Sequence, residues 1–148
     1  KTDLANSSIP TEYIVKDGDI LFSWSGSLEV VIWCGGEGAL NQHLFKVTSE
    51  TYPKWFYYYW TLHHLMKFKG IAADKATTMG HIKRTHLSEA KVLVPPKQEM
   101  EELSQIFIPI VNKIININLE IRSLRKTRDL LLPKLMSGKI RVPIEVKI

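Results

Sequence analysis

Cysteine is almost missing from this sequence. Cys34 is the single one in 148 residues, so an intrachain disulfide and a cysteine-rich zinc site are both excluded. No apolar run approaches the roughly 20 residues that a membrane helix requires, and no membrane span is predicted. The opening KTDLANSSIP carries no apolar signal core, and the expectation is a reducing, cytoplasmic setting in which the Asn6-Ser7-Ser8 acceptor triplet has no meaning. Recognisable catalytic motifs are also missing. Gly35-Gly36-Glu37-Gly38 lacks the Lys-Ser/Thr pair of a phosphate loop and is expected to connect two strands. Ser25-Gly26 belongs to no nucleophile elbow. His63 and His64, as neighbours, stand about 100° apart on a helix, and His81 and His86 are not one helical turn apart, so neither pair suits a metal. No enzyme, metal or cofactor is predicted. Acidic residues are the scarcer charge, 15 against 20 basic ones, for a net charge of +5 that attracts polyanions without specifying one.

Hydrophobic residues make up 45% and charged residues 24%, the balance of a chain that folds on one core. The first half carries strand signals. Glu12 to Lys16 alternates and is followed by the turn Asp17-Gly18-Asp19. Ile20, Phe22 and Trp24 point one way and Leu21 and Ser23 the other, predicting a half-buried strand. Ser25-Gly26-Ser27 turns the chain into a second strand, Glu29 to Cys34, rich in β-branched residues. Leu40 to Val47 supplies another, and an antiparallel meander is the expected arrangement. Pro53 suits the first position of a helix over Lys54 to Lys69, stopped by Gly70. Its aromatic residues suggest base stacking, but the better reading is a core face of Trp55, Tyr59, Leu62 and Met66 against the sheet. Ile71 to His86 is polar and reads as a long loop around Gly80, or a loop with a short helical turn. Leu87 to Val94 is expected to end in a strand closed by Pro95-Pro96.

Beyond Pro96 the rhythm changes. Leu103, Phe107, Ile110, Ile114, Ile117, Ile121 and Leu124 alternate steps of four and three, continued by Arg128 and Leu131, which is the heptad pattern of a coiled coil. A second stripe, Ile108, Ile115 and Leu119, lies on another side, so the helix needs two neighbours, for example its own globular body and a partner helix. Pro109 is expected to bend it and Pro133 to disturb its end near Leu132, with one further turn allowed over Lys134 to Ser137 before Gly138. Asn112, Asn116 and Asn118 are expected in solvent, Arg122, Arg125, Lys126 and Arg128 make the far end basic, and Lys139 to Val142 is read as a short closing strand. The predicted fold class is α+β: a small, mostly antiparallel β domain with a packed aromatic helix, followed by a long C-terminal coiled-coil-type helix. The divisions expected are residues 1–96, 97–137 and 138–148.

The order GDILFSWSGS, LNQHLFKV, an aromatic helix, TTMGHIKRTHL, a strand ending in VPP, and a long helix ending LRKTRDLLLPKLMSGKIRV resembles a known family. It is similar to the specificity subunit of Type I restriction–modification systems, in the later part of one target-recognition domain plus its spacer helix. The resemblance runs from about Lys16 to Val142. It implies a non-catalytic DNA-recognition subunit that directs methyltransferase and restriction subunits of the same system to a two-part site on double-stranded DNA. It also implies antiparallel pairing of spacer helices through the heptad seam. Family subunits carry two recognition domains and two spacer helices, and each domain begins well ahead of the GDILFSWSGS strand. The expectation is therefore a shortened gene or strands supplied by another chain, with a homodimer reading an inverted repeat or a different half giving an asymmetric site. From Lys97 to Leu132 the helix spans roughly 50 Å, or about 15 base pairs of duplex. Candidate DNA contacts lie in loops: Lys75, Thr77, Thr78, His81, Lys83 and Arg84 around Gly80, then Ser25, Ser27 and Gln42. Lysines and hydroxyls suit phosphate, Arg84 suits guanine and Gln42 suits adenine. The alternative function is an assembly module that uses the helix and does not touch DNA.

Overall fold

The turn after the first strand organises much of the chain. Gly18 adopts φ +89°, its N–H donates to Trp33 O at 2.7 Å, and its carbonyl accepts Lys54 Nζ at 2.6 Å. A Cβ there would sit 3.3 Å from Lys54 Nζ and 3.5 Å from Ile115 Cδ1, so glycine serves both the conformation and the close approach of this turn to Lys54 and Ile115. The computed structural model describes residues 9–74 and 82–141. After a 3-10 turn at Thr11–Tyr13, the strands are β1 (Ile14–Val15), β2 (Ile20–Ser23), β3 (Val30–Ile32), β4 (Gly38–Ala39) and β5 (Leu44–Val47). Three helices follow: α1 (Lys54–Asp74), α2 (Arg84–Ser88) and α3 (Lys97–Met136).

The α+β class is as the sequence predicts, with two small antiparallel sheets, one long C-terminal helix and an order that departs from a meander. β2 is central, paired with β3 through the Gly26 turn and with β5 on its other side, while β1 pairs with β4. The expected half-buried strand is buried on both faces: Ile20, Leu21 and Phe22 are all inaccessible. Ile20 and Phe22 lie under α1 with Phe68 and Ala72. Lys46, opposite Leu21, reaches over to Ile14 O at 3.0 Å, which brings β1 against the other face. Alternation in a sequence shows only that successive side chains point apart, not that one side is wet.

Gly70 does not stop α1, which runs on to Asp74 because Ile71 and Ala72 continue the packing begun by Phe68. The expected face of α1 is also corrected. Trp55 and Tyr59 meet α3 rather than the sheet, and Met66 is 74% exposed. Two neighbours explain the aromatic crowding: Tyr57, Leu62, Leu65 and Phe68 serve the sheet side, whereas Trp55, Phe56 and Tyr59 gather with α3 and with Ile32 at the sheet's edge. No strand forms over Leu87 to Val94. Leu87 and Ala90 pack on the core around α2, and Lys91 to Pro96 is irregular chain without a partner strand. Likewise, Lys139 to Arg141 is a bend rather than a strand, and Val142 lies outside the described residues.

α3 is one helix of 40 residues containing both Pro109 and Pro133, about 60 Å long. It passes Pro133 and ends at Met136, within the further turn expected ahead of Gly138. Its first half docks on the body through Leu103, Phe107, buried Val111 and Ile115. Trp55 stacks on Phe107 with centroids 4.8 Å apart, and Trp55 Nε1 donates to Ser104 Oγ at 2.8 Å. The last contact with the body is polar. Arg122 donates Nη1 to Asp17 Oδ1 at 2.8 Å, Nη2 to Asp17 Oδ2 at 2.9 Å, and Nη1 also to Cys34 O at 2.7 Å.

Two tests follow from this packing. Phe22→Ala should destabilise the fold by about 3–5 kcal/mol in urea denaturation, while Met66→Ala should stay within about 0.5 kcal/mol; equal losses would place Met66 in the core after all. The second concerns acid. The Arg122 guanidinium, then the Gly36 N–H, hold the Asp17 carboxyl below its ordinary value of 3.8. Because the folded value is the lower one, its stabilisation is present above pH 3.8 and is lost as pH falls through the folded value. Melting curves of Asp17→Asn should therefore lie below those of the unsubstituted chain near neutrality and converge with them in acid.

Candidate nucleic-acid interface and helix seam

Trp24 gathers three segments at one end of the three-stranded sheet. Its N–H donates to His43 O at 3.3 Å, its indole Nε1 donates to Gln42 O at 3.3 Å, and its carbonyl accepts the Ile82 N–H at 3.2 Å. Its ring packs on Phe45 and on the exposed His43 ring, with centroids 6.0 and 5.7 Å apart. These bonds bring the Ser25-Gly26-Ser27 turn, the Asn41–His43 turn and the start of α2 to the same end of the sheet. Ser25 is half-buried and its carbonyl accepts Ser23 Oγ at 3.0 Å, while Ser27 and Gln42 are exposed. Lys83 is exposed just ahead of α2. The backbone of Arg84 opens α2, and its side chain, like Lys75, Thr77, Thr78 and His81, lies outside the described residues. Sequence reasoning misses His43 and the organising role of Trp24. Alternation places Trp24 on the core side, which is half true, and nothing in the local sequence marks His43.

The helix seam is divided between two uses. Leu103 and Phe107, expected to face a partner, are occupied by the chain's own body. Ile115 docks there as expected of the second stripe and Leu119 is half-buried, whereas Ile108 is exposed. From Ile110 onwards the heptad face is open: Ile110 and Ile117 are each 42% exposed, Leu124 is 61% exposed, Ile114 is half-buried, and Ile121, Leu131 and Leu135 are also exposed. Asn112, Asn116 and Asn118 are exposed, and Asn118 Nδ2 donates back to Ile114 O at 3.0 Å. The basic far end is not uniform, since Arg122 belongs to the Asp17 pair while Arg125, Lys126 and Arg128 are exposed.

A cavity of about 760 Å³ lies between β5, α1 and the α2 region, lined by Phe45, Phe56, Tyr57, Trp60 and Leu87. Three of the polar groups on its wall are engaged inside the chain. Lys46 pairs with Asp19 at 2.8 Å, Thr61 Oγ1 donates to Tyr57 O at 2.6 Å, and His64 Nε2 lies 2.9 Å from Lys91 O. Burial raises the Tyr57 and Tyr58 hydroxyls above their ordinary value. The Cys34 thiol is pushed up as well, first by burial and secondarily by the Asp17 charge, so it is held as the less nucleophilic thiol. Among the described residues, no group of three or more His, Cys, Asp or Glu side chains is placed to hold a metal ion, and no helix is long and apolar enough to cross a membrane.

Similarity to known proteins runs through the body and most of α3. The family model for the Type I restriction modification DNA specificity domain matches residues 10–124. Over 100 residues the chain is 29% identical to the Type I restriction enzyme MjaIX specificity subunit of Methanocaldococcus jannaschii, covering 68% of this chain and 23% of that protein. Over 127 residues it is 27% identical to the MjaVIII specificity subunit of the same organism, covering 85% of this chain and 30% of that protein. The chain thus spans about a quarter to a third of the length of these curated relatives. With the strands around Trp24, the aromatic helix and the first 28 residues of α3 all inside the matched range, the chain belongs to the Type I restriction–modification DNA specificity domain family.

Proposed function

We propose that this chain is the DNA-recognition and scaffolding part of a Type I restriction–modification assembly, directing methyltransferase and restriction subunits to a two-part site on double-stranded DNA. The observation that carries this reading is the open apolar face of α3 from Ile110 to Leu135, on a helix whose first half is already docked on the chain's own body. An apolar stripe of that length on an isolated chain invites a partner. A second copy of α3, or the spacer helix of a different half, running antiparallel would bury it and hold two bodies apart. A helix of 40 residues corresponds to about 60 Å, or about 18 base pairs. That is long enough for two half-sites with an uncontacted stretch between them.

Residues 1–96 act in this scheme as the reader, 97–137 as the spacer and pairing helix, and 138–148 as a tail. Contacts with DNA come from Ser25, Ser27, Gln42 and Lys83 at the Trp24 end, and the same role is assigned from the sequence to Arg84, Lys75, Thr77, Thr78 and His81. Ile110, Ile114, Ile117, Ile121 and Leu124 form the partner face. Leu103 and Phe107, assigned to it from the heptad rhythm, hold the body instead. Chemistry resides in this scheme on the partner subunits; the Cys34 thiol, raised above its ordinary value by burial, is a poor nucleophile. The cytoplasmic setting follows from those partners.

Duplex selection from a random pool, with and without the methyltransferase subunit, tests the reading, and turnover of S-adenosylmethionine by the chain alone would overturn its non-catalytic part. Lys83→Ala with Arg84→Ala should weaken binding and reduce the salt slope by about 1 for each phosphate that is no longer neutralised. Unchanged affinity would favour the second reading, an assembly module that does not itself touch DNA. Ile117→Glu with Leu124→Glu should leave a monomer by light scattering; a dimer that survives both charges would remove α3 as the pairing element.

A further inference from the structure

Apolar contacts between body and α3, with the Trp55–Ser104 hydrogen bond among them, run along the helix as far as Ile115, and the charged contact lies beyond them. Trp55, Phe56, Phe107 and Val111 form an aromatic and aliphatic contact toward its N-terminal half. Arg122 lies 15 residues beyond Phe107 by their numbers, about 22 Å along the axis. Between them, apolar packing is close but only weakly directional, because burial rewards area rather than angle. Arg122 supplies direction. Its planar guanidinium meets both carboxylate oxygens of Asp17 at 2.8 and 2.9 Å and the Cys34 carbonyl at 2.7 Å, a geometry that tolerates little rotation.

The receiving side is held ready for it. Asp17 Oδ1 also accepts the Gly36 N–H at 2.7 Å. Gly36 O accepts Trp33 Nε1 at 2.6 Å, and Trp33 N–H donates to Asp19 O at 2.7 Å. Gly36 itself stands at φ +92°, where a Cβ would approach Arg122 Nη1 to 3.5 Å. Two turns of the body, 17–19 and 34–36, are thus tied to each other before the helix reaches them. Immediately past Arg122 the helix leaves the body, since every residue from Ser123 to Met136 is exposed.

We infer that Arg122, forked onto Asp17, is a positioning residue that fixes the angle between the body and α3, and through it the spacing accepted between two half-sites. The second half of that statement rests on the proposed function; the first does not. Magnitude supports the link. A swing of about 10° about the Ile115 contact carries Met136, 21 residues and about 32 Å further along α3, by about 5 Å, more than the 3.4 Å rise of one base pair. Apolar packing without the fork therefore leaves room for a one-pair error, and the fork removes it.

The test separates angle from stability and from DNA binding. Nitroxides at Glu29→Cys and Ser123→Cys, in a Cys34→Ser background diluted with unlabelled chain, report the body-to-helix distance by double electron–electron resonance. With Arg122 intact the distribution should be narrow; Arg122→Lys, which keeps the charge and loses the fork, should broaden it twofold or more. In the assembled complex, selection from duplexes with randomised spacer length should give one preferred length for the unsubstituted chain. Arg122→Lys should accept lengths one base pair to either side, with half-site bases unchanged. A merely structural role lowers the melting temperature and moves neither width nor spacer choice, which would overturn the inference. Broadening with an unchanged spacer preference would overturn its DNA half alone. An unsubstituted chain that selects no two-part site overturns the proposed function while the resonance experiment still decides the clamp. Should Arg122→Lys fail to fold, Asp17→Asn breaks the same pair without changing side-chain size, and the same outcomes apply.

Discussion

The stack of Trp55 on Phe107, seated beside buried Val111, is the contact on which the remaining architecture depends. It joins a helix that already covers the sheet to a helix that extends away from it. α1 therefore cannot be amphipathic in the ordinary sense, because it must present apolar surface to the sheet and to α3 at once. Burying large aromatic side chains is the most economical way to do this over few residues, since each covers about 150–250 Å². The Trp55 indole N–H is satisfied by Ser104, so this contact carries no unpaired polar atom from that ring.

From that joint, the positions of the candidate DNA contacts follow. The sheet end marked by Trp24 belongs to the same body that α1 fastens to α3, so fixing the helix fixes the reading end as well. Two different kinds of interaction divide the task. Apolar burial between α1 and α3 supplies affinity, and the Arg122–Asp17 fork supplies orientation, much as paired charges in proteins often add specificity of arrangement more than net stability. The exposed heptad face then projects from a body whose direction is already set.

Much of this is legible in the sequence, and the failures share a cause. Val30 to Ile32 and Leu44 to Val47 declare themselves by β-branched content and alternation, and α1 and α3 by helical spacing. Faces are harder to assign. Leu103, Phe107, Ile110 and Ile114 share one rhythm, yet the body takes the first two and leaves Ile110 open. Val111 and Ile115, outside that rhythm, complete the docked side. Periodicity gives the direction of a side chain relative to its own helix, not the identity of its neighbour. Leu87 to Val94 has strand composition but meets no partner strand, and composition cannot supply one. The Asp17–Arg122 pair spans 105 residues, and no local pattern announces a bond of that kind. For the candidate DNA contacts, Ser25, Ser27, Gln42 and Lys83 converge on one end of the sheet, whereas the turn chemistry that suggests them says nothing about their being neighbours.

The two prolines show what holds α3 together. An interior proline removes a hydrogen bond and crowds the preceding turn at a cost of about 3 kcal/mol or more. Pro109 sits between Phe107 and Val111, whose burial offsets that cost locally. Pro133 has no such support, because the 14 residues from Ser123 to Met136 are all exposed. A helix of fewer than about 12–15 residues is marginal in water even without a proline. The arm beyond Arg122 is therefore helical only as the continuation of a helix nucleated on the body, and it has no packing of its own to resist fraying. Leu124, Leu131 and Leu135 lie on its open heptad face, so the contact that would bury them is also the one that would stabilise the arm. The length of the rigid spacer and the presence of a partner are, on this physical ground, one property rather than two.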